Sequence, residues 1–488
     1  MGIRIDLINY NSIVTNRQLA SRVNLHEDIK YFADTSGDWN PFHVDKTFAR
    51  RLASGEIVVH GISSLLWVLE EVVKRYDEIP KKILCNFLKP ILEGEEVSIE
   101  VEEISNLSMK ILIRSKTELK VFITLIFSGE FNHLEFVESD FDINTPLDRS
   151  FEDLKDLSGD LKVSGDTKIF LKNWPSLIKT IGILPVASIV NLSRLVGMYS
   201  PGKNSIFSSI SLELNKNYLS PFISWSTERH THKIAPIKLK LCGAGIKGNI
   251  EALYRLAPIN QESISSLKSR ASELNFSGKT ALVIGGSRGL GEIVSKLISI
   301  SGGNVILTFN KGEDDALRVQ NEINSNRKSC STVFLNILEY SQIRKTLSPF
   351  AKDIDYVFYF ASPKIRATPD KESSDLKDLY RAFYVKGFKS IVEYFLSKVK
   401  EKDLIFFYPS TEFIDTNEKK FEEYIIAKTE GEEFCNLIRD EYNNINILSP
   451  RLPRLLTDQN IGVSGLTVET TTQIMADQLG NLEFHVQN

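Results

Sequence analysis

Cysteine is scarce in this chain: four residues in 488, at Cys85, Cys242, Cys330 and Cys435. None sits in a CxxC pair or at a metal-ligand spacing, which excludes a disulfide framework and a thiolate metal site and points to free thiols in a reducing compartment. An excess of one charge is missing too. The balance is −4, with Lys and Arg scattered among acids, so there is neither a nucleic-acid footprint nor a polybasic membrane patch. No apolar run is long enough to span a bilayer. The first six residues, Met1 to Asp6, lack an apolar signal core, and Asp6 departs from the myristoylation pattern. The expectation is a cytoplasmic enzyme with no nucleic-acid partner, no membrane partner and no bound metal.

With 488 residues the chain exceeds one ordinary core, so two or three domains are expected. Its most informative stretch runs from Ser36 to Gly61. Asp38 and His43 stand five apart in a segment stiffened by Pro41 and released by Gly37. Pro41 fixes its own φ and pushes Asn40 away from helix, which makes a shaped loop. A carboxyl and an imidazole brought together there form the acid/base pair that adding or removing water across a double bond requires. From Gly61 the sequence turns helical and apolar, and the first amides of that helix would face the same volume and stabilise an enolate oxygen. Spacing alone reads equally well as a simple turn. His60, taken alone, reads as a structural histidine at a helix start.

The whole run, Gly37-Asp38-Trp39-Asn40-Pro41-Phe42-His43-Val44-Asp45 followed by His60-Gly61, resembles the signature of the MaoC-like, hot-dog-fold (R)-specific enoyl-thioester hydratases. The resemblance covers about residues 20–130 and includes Asn86-Phe87-Leu88-Lys89-Pro90. It implies that Asp38 and His43 are the catalytic pair, that Asn40 supports the loop and that Gly61 is the amide donor to the thioester carbonyl. Trp39 stands where the family has a smaller or different apolar residue, which leaves the acyl-group preference open.

A helix is expected over 61–76 and strands over 97–104, 110–115 and 120–129, the alternating pattern of a sheet wrapped on a helix. A first domain over 1–135 would then be followed by an acidic, broken connection at 136–165. Over 166–258 the outline repeats: an apolar helical stretch at 176–199, then strands at 205–214, 222–231, 235–247 and 249–256. With no copy of the acid/base loop, this is either a second, degenerate hot dog or an unrelated β-rich spacer. His230 and His232 share one face of a strand-like run without a third ligand, and read as surface or structural histidines. Residues 259–276, rich in Ser, Lys and Glu, read as a linker.

A third domain, 277–488, opens on a buried-type strand, Thr280 to Ile284, and the glycine run Gly285-Gly286-Ser287-Arg288-Gly289-Leu290-Gly291. Glycines at 285, 289 and 291 allow the tight turn that brings backbone amides against a pyrophosphate at a helix N-terminus. The strand Asn304 to Phe309 ends without the acid that would bind an NAD ribose. Arg288, Asn310 and Lys311 instead suit a 2′-phosphate, so NADP(H) is the expected cofactor. Tyr424 and Lys428 lie one helical turn apart, where the ammonium would lower the phenol's pKa and make it a usable proton donor. Ser410 and Thr411 follow an apolar strand a short way upstream.

These residues together resemble the short-chain dehydrogenase/reductase family over about 276–480. The resemblance implies Tyr424 as acid, Lys428 as its partner and ribose ligand, Ser410 or Thr411 as the carbonyl donor, and Ser287, Leu290, Asn336 and Ala361 as further cofactor contacts. Four positions depart from the family: Ile284 for the opening Thr, Tyr359-Phe360-Ala361-Ser362 for Asn-Asn-Ala-Gly, Tyr384 for the relay Asn, and Pro450-Arg451 for Pro-Gly. The expected architecture is α+β and α/β multidomain, an N-terminal hot dog, single or double, followed by a Rossmann-type doubly wound parallel sheet. Combined, the two resemblances imply NADPH reduction of a 3-oxoacyl thioester and dehydration of the (R)-3-hydroxyacyl product, on coenzyme A or acyl carrier protein, in a homo-oligomer (dimer or tetramer). A hydratase with a non-catalytic NADP-binding module and a non-catalytic acyl-binding scaffold are the alternatives.

Overall fold

The computed structural model describes residues 13–487 apart from 53, 77, 106, 128–134, 216, 219, 229–235, 368–373, 399–401 and 460–465. His230 and His232 therefore lie outside the described residues. Two units divide the chain, Met1–Ala257 and Pro258–Asn488.

The first unit is built on β1 (Ile13–Val23), β2 (Pro80–Phe87), β3 (Glu96–Ile104), β4 (Ser108–Ser115) and β5 (Glu118–Phe127). In β3 every second side chain from Val97 to Val101 is buried, the period of a strand with one covered face. What covers it is the helix Gly61–Tyr76. Ile62, Leu65, Leu66, Leu69 and Val72 are fully buried along one face of that helix, in one core with Ile83, Ile99, Ile111 and Ile123. Each such side chain contributes about 1.5–3 kcal/mol through the area it removes from water.

Five more strands, β6 (Ser158–Lys162), β7 (Ser205–Leu214), β8 (Phe222–Thr227), β9 (Ile237–Gly243) and β10 (Ile246–Tyr254), extend the same antiparallel sheet. The order is β1-β3-β4-β5-β2-β7-β10-β9-β8-β6, with β2 and β7 paired at the seam through Cys85 and Ile210. Counted outward from the seam, each half presents its strands as second, fifth, fourth, third and first in chain order. Each half also carries its long helix between its first and second strand: Gly61–Tyr76 in one, Ile183–Arg194 with the π-helical turn Leu195–Tyr199 in the other. One topology is thus used twice, and a β-rich spacer unrelated to the first half does not describe residues 158–254.

Two boundaries differ from the sequence expectation. The segment read as a connection, 136–165, supplies β6, the counterpart of β1, and buries Leu154, Leu161 and Val163. The last hairpin turns at Ala244 and Gly245, whose φ values of 48° and 78° match the twist of the flanking strands; the expected turn lay a few residues later. Among the described residues no single helix is long and apolar enough to cross a membrane. The bent pair Pro175–Ile181 and Ile183–Tyr199 passes by length and composition only and contributes to the first unit's core.

The second unit carries six parallel strands: β11 (Thr280–Ile284), β12 (Asn304–Phe309), β13 (Cys330–Phe334), β14 (Tyr356–Tyr359), β15 (Leu404–Phe407) and, beyond the two-residue β16 (Ser410–Thr411), β17 (Ile445–Leu448). Their order, β13-β12-β11-β14-β15-β17, is the doubly wound one. Alternate residues of β11 feed two cores. Ala281 and Val283 pack with Ile293, Leu297, Met475 and Leu479 of two helices on one face, and Leu282 and Ile284 with Phe388, Ile391, Cys435 and Ile438 on the other. Residues 259–276 are not a free linker: Ile264, Leu267, Ala271, Leu274 and Phe276 belong to the first of these cores.

Candidate active site

In the first unit the helix His26–Ser36 stops at Gly37, whose φ of 70° is open to glycine. The chain then turns Asp38 inward, leaving it 2% exposed. Asn40 caps the short helix Pro41–Val44 by accepting from Phe42 N, which sets His43 opposite Asp38. The Asn40 amide donates to the carbonyls of Gly197, Gly202 and Lys203, at 2.9, 3.2 and 3.3 Å. All three lie between the helix Ile183–Arg194 and β7, in the second half of the unit. The expected support role of Asn40 thus has a physical form, anchoring the loop across the seam.

Asp38 and His43 come together as expected, and His60 joins them. The His43 and His60 rings stack, centroids 3.8 Å apart and 24° from parallel. His43 Nδ1 lies 2.6 Å from Val58 O and His60 Nε2 lies 3.1 Å from Asp38 O. A carbonyl only accepts, so each of these nitrogens carries the proton, and His43 Nε2 is left with an open lone pair. Candidate ligand atoms of Asp38, His43 and His60 lie within 4.8 Å of one another, close enough for the three groups to act on one small volume.

Burial dominates the electrostatics. It raises the Asp38 carboxyl above its ordinary range, against the opposing effects of His43, of the Ser193 hydroxyl and of Asn40 N. His43 is lowered by burial and also by the Arg255 guanidinium, against Asp38 and Val58 O. His60 is pushed well down, first by burial and then by His43. Both imidazoles are therefore neutral at neutral pH.

Ser193, Gly197 and Arg255 escaped sequence reasoning. Ser193 Oγ donates to Asp38 Oδ2 at 2.6 Å, and a Cβ on Gly197 would sit 2.1 Å from Asp38 Oδ1. The available signal was Ser193 and Gly197, two small residues four apart in a mainly apolar helical stretch. Gly61 opens its helix against Phe87, whose ring a Cβ there would meet at 2.9 Å, and the first-turn amides have no intrahelical acceptor.

In the second unit β11 ends at Gly285, φ 79°, and the loop is tied to β12 by Gly285 N to Thr308 Oγ1 and Gly286 N to Thr308 O, both 3.2 Å. The helix Gly289–Ile300 follows. A Cβ at Gly291 would lie 2.4 Å from Gly285 O, and one at Gly285 would lie 2.9 Å from Ala361 N. Gly285, Ser287, Arg288, Gly289, Leu290, Gly291 and Ala361 are thus brought to one edge, as a cradle of backbone amides fit for a pyrophosphate. Asn310 and Lys311 stand exposed past the end of β12. Asn336 is engaged in its own turn, donating to Glu339 and accepting from Leu338 N. Lys364 was missed from sequence; burial and the nearby Arg366 and Arg288 charges lower its pKa, which places three cations beside the cradle.

Tyr424 and Lys428 lie on one helix, Glu422–Glu441, but not as expected. Lys428 Nζ donates to Pro409 O at 2.5 Å and sits over the rings of Tyr384 and Tyr408, at 4.1 and 4.6 Å, with the Tyr424 ring at 5.9 Å. Burial lowers Lys428 to about 7. Burial also raises the Tyr424 phenol, with the Thr411 hydroxyl opposing. The expectation that the ammonium lowers the phenol's pKa is corrected: the phenol lies among Tyr380, Tyr384, Phe413 and Phe421, and burial is the largest influence on it, in the raising direction. Of the two hydroxyls, Thr411 faces Tyr424 while Ser410 faces Glu432, because neighbours on a strand point to opposite sides. Tyr384 OH and Ser362 Oγ are 2.6 Å apart.

A profile of the family described as MaoC like domain matches residues 11–121. Residues 11–121 are MaoC-like. That stretch holds the acid/base loop, the helix Gly61–Tyr76 and the first four strands of the sheet. No curated protein sequence matches the chain. Among solved structures, similar ones include a short-chain dehydrogenase/reductase from Serratia marcescens (15% identity, TM-score 0.38, 42% of this chain and 91% of that one). Others are the angucycline C-6 ketoreductase LanV with bound NADP (19%, 0.38, 43% and 89%) and a gluconate 5-dehydrogenase from Burkholderia cenocepacia in complex with NADP and tartrate (13%, 0.38, 43% and 90%).

Proposed function

We propose that the chain is a bifunctional acyl-thioester enzyme that reduces a 3-oxoacyl thioester with NADPH and dehydrates the resulting (R)-3-hydroxyacyl thioester to the trans-2-enoyl thioester. The observation that carries the reading is the buried meeting of the Asp38 carboxyl with a neutral His43 whose Nε2 is open. In the dehydration, His43 Nε2 takes the proton beside the thioester carbonyl and the C–O bond at the β-carbon breaks. Asp38 supplies the proton that lets the hydroxyl leave as water, and the proton on His43 then restores Asp38. A carboxyl raised by burial is suited to that donation. The first amides of the helix at Gly61 oppose the charge that grows on the thioester oxygen.

For the reduction, NADPH supplies the hydride when bound. The glycine cradle would hold its pyrophosphate, with Arg288, Asn310 and Lys311 toward a 2′-phosphate. Thr411 orients the substrate oxygen, and Tyr424 gives it a proton. Lys428 leaves Pro409 O to bind the ribose and hold the phenol in place. The two steps share a compound, the 3-hydroxyacyl thioester, which is the reason to assign them to one chain.

The test is to incubate the full chain with NADPH and 3-oxoacyl thioesters of coenzyme A and of acyl carrier protein, following NADPH and enoyl absorbance together. Both signals should change, and Tyr424→Phe should stop NADPH consumption while leaving hydration of a supplied enoyl thioester. Absence of NADPH consumption with every substrate removes the reductase half. A second reading is favoured by the aromatic wall around Lys428 and Tyr424: a working hydratase with a non-catalytic NADP-binding module. NADPH binding seen by fluorescence without turnover would support it.

A further inference from the structure

We propose that Ser193 is a positioning residue for the dehydration: its hydroxyl, contributed by the long helix of the half that has no acid/base loop, fixes the Asp38 carboxylate relative to the His43 imidazole. The inference rests on the dehydratase reading and extends it to a residue outside the stretch 11–121 that is MaoC-like.

The argument begins with what serine does in a helix. Its hydroxyl ordinarily bonds the carbonyl four residues back, as Ser188 does to Leu184 O at 2.8 Å. Asn191, one turn before Leu195, is also spent on backbone, at Ser164 and Ala187. Ser193 is different. Its single proton goes to Asp38 Oδ2 at 2.6 Å, a short bond to a carboxylate of the stronger, charge-assisted class. Both partners are nearly inaccessible, at 3% and 2% exposed, so water does not substitute for the hydroxyl.

The rest of this helix end is shaped around the same carboxylate. Immediately after Arg194 the helix widens into the π-helical turn Leu195–Tyr199, a feature common at functional sites. That turn brings the Gly197 Cα against Asp38 Oδ1 and turns the Gly197 carbonyl toward the Asn40 amide. One carboxylate oxygen is therefore held by Ser193 and the other lies between Gly197 and Asn40 N. The charged and titratable groups that face the pair are His43 on the helix Pro41–Val44, His60 at the start of the next helix, and Arg255 after β10, which acts on His43. Arg194, beside Ser193, directs its guanidinium away, to Asp142 and Lys162 O. Among these neighbours Ser193 is the side-chain hydroxyl that donates to the carboxylate.

The experiment uses full-length Ser193→Ala and Ser193→Thr, assayed as hydration of a short trans-2-enoyl coenzyme A thioester across the acid-to-neutral range, with thermal unfolding measured in parallel. Ser193→Ala should lose about tenfold to a hundredfold in kcat with KM little changed. Its acid limb should move to higher pH, because the carboxylate has lost a donor that favours its ionised form. Ser193→Thr, which keeps the hydroxyl, should recover most of the loss and the original limb. A wild-type kcat and pH profile in Ser193→Ala overturns the proposal; so does an equal loss in both variants with no movement of the limb, which would be a packing effect. If the unaltered chain fails to hydrate any enoyl thioester, the dehydratase reading itself falls, an outcome distinct from both.

Discussion

Replacing Gly197 by alanine separates folding from catalysis at the first site. The backbone there is helical, so alanine is locally favourable by up to about 1 kcal/mol relative to glycine. The difficulty is one atom: the new Cβ would lie 2.1 Å from Asp38 Oδ1 and 2.6 Å from Asp38 Cγ. An ordinary carbon–oxygen contact is about 3.3 Å, so the carboxylate or the turn must move by roughly 1 Å. Interiors yield to such insertions at about 1–3 kcal/mol, which leaves a net destabilisation of about 0–2 kcal/mol and a folded protein. Activity is more exposed, since a displacement of about 1 Å costs on the order of a hundredfold. Gly197→Ala should therefore hydrate an enoyl thioester about a hundred times more slowly, with a melting temperature within a few degrees of wild type. Cutting Asp38 back to Ala removes the collision, so in a double-mutant cycle the penalty of Gly197→Ala should vanish in the Asp38→Ala background, read by chemical denaturation. A Gly197→Ala protein with wild-type kcat, or a penalty that persists without the Asp38 carboxylate, would refute the geometry on which this reasoning stands.

Lys428→Met should stabilise the second unit in acid. A lysine lowered from 10.5 to about 7 by burial is charged at a cost of up to roughly 5 kcal/mol, at about 1.4 kcal/mol per pH unit, of which the two tyrosine faces already return a part. Since the folded form binds the proton less tightly than the unfolded one, the wild type should gain stability as pH rises from about 7 toward the unfolded value, while the Met variant stays flat; its advantage, about 2–3 kcal/mol by denaturation, should be largest below that range and shrink above it. Dehydration by the first site should need neutral His43, and because burial lowers that imidazole from 6.5, the acid limb of its kcat/KM should lie below that value as a property of the coupled Asp38–His43 pair. Gly291→Ala should weaken NADPH binding, followed by its fluorescence, by about tenfold or more, because the added Cβ meets Gly285 O at 2.4 Å and displaces the amides that face the phosphates.

The parts of this molecule legible in its sequence are those set by local spacing. The helix Gly61–Tyr76 follows from an apolar stripe at 62, 65, 66, 69 and 72, and β3 from strict alternation, and both stand where the pattern puts them. The glycine turn after β11 is equally local. Edge structure was harder to see. β6 reads Ser-Gly-Asp-Leu-Lys, with only Leu161 buried, because an edge strand with one inward residue carries almost no hydrophobic period. The stretch 259–276 looked like a linker for a similar reason: its buried residues, from Ile264 to Phe276, are spread thinly among polar ones. Long-range partners left no trace at all. Ser193 lies 155 positions from Asp38, and no local rule connects them. The reversed expectation at Tyr424 has the same origin, since the one-turn spacing to Lys428 was right, but the wall that controls both groups comes from Tyr380, Tyr384 and Tyr408 on other elements.

A π-helical turn stands beside each site, Leu195–Tyr199 and Ala382–Gly387, and the comparison shows how differently the two are finished. Widening a helix frees carbonyls that must be bonded elsewhere. At the first site the freed Gly197 carbonyl accepts from Asn40, the residue that caps the short helix carrying His43, so the irregularity ties that loop in place. At the second, Phe383 O and Tyr384 O accept from the hydroxyls of Tyr359 and Tyr408, and Lys428 turns to Pro409 O. Those are bonds among the protein's own groups. On the proposed function the first site is thus already assembled, whereas the second must break the Lys428 to Pro409 bond before the lysine can hold a ribose. That bond to a carbonyl is worth about 1.5–3 kcal/mol to a charged donor, but the lysine is only half charged near pH 7. Cofactor binding at the second site should consequently be accompanied by proton uptake around neutral pH, as Lys428 passes from a buried, partly neutral amine to an ammonium facing ribose hydroxyls. Calorimetry of NADPH binding in buffers of different ionisation enthalpy would detect that proton, and a binding heat independent of buffer would show that the lysine stays where it is.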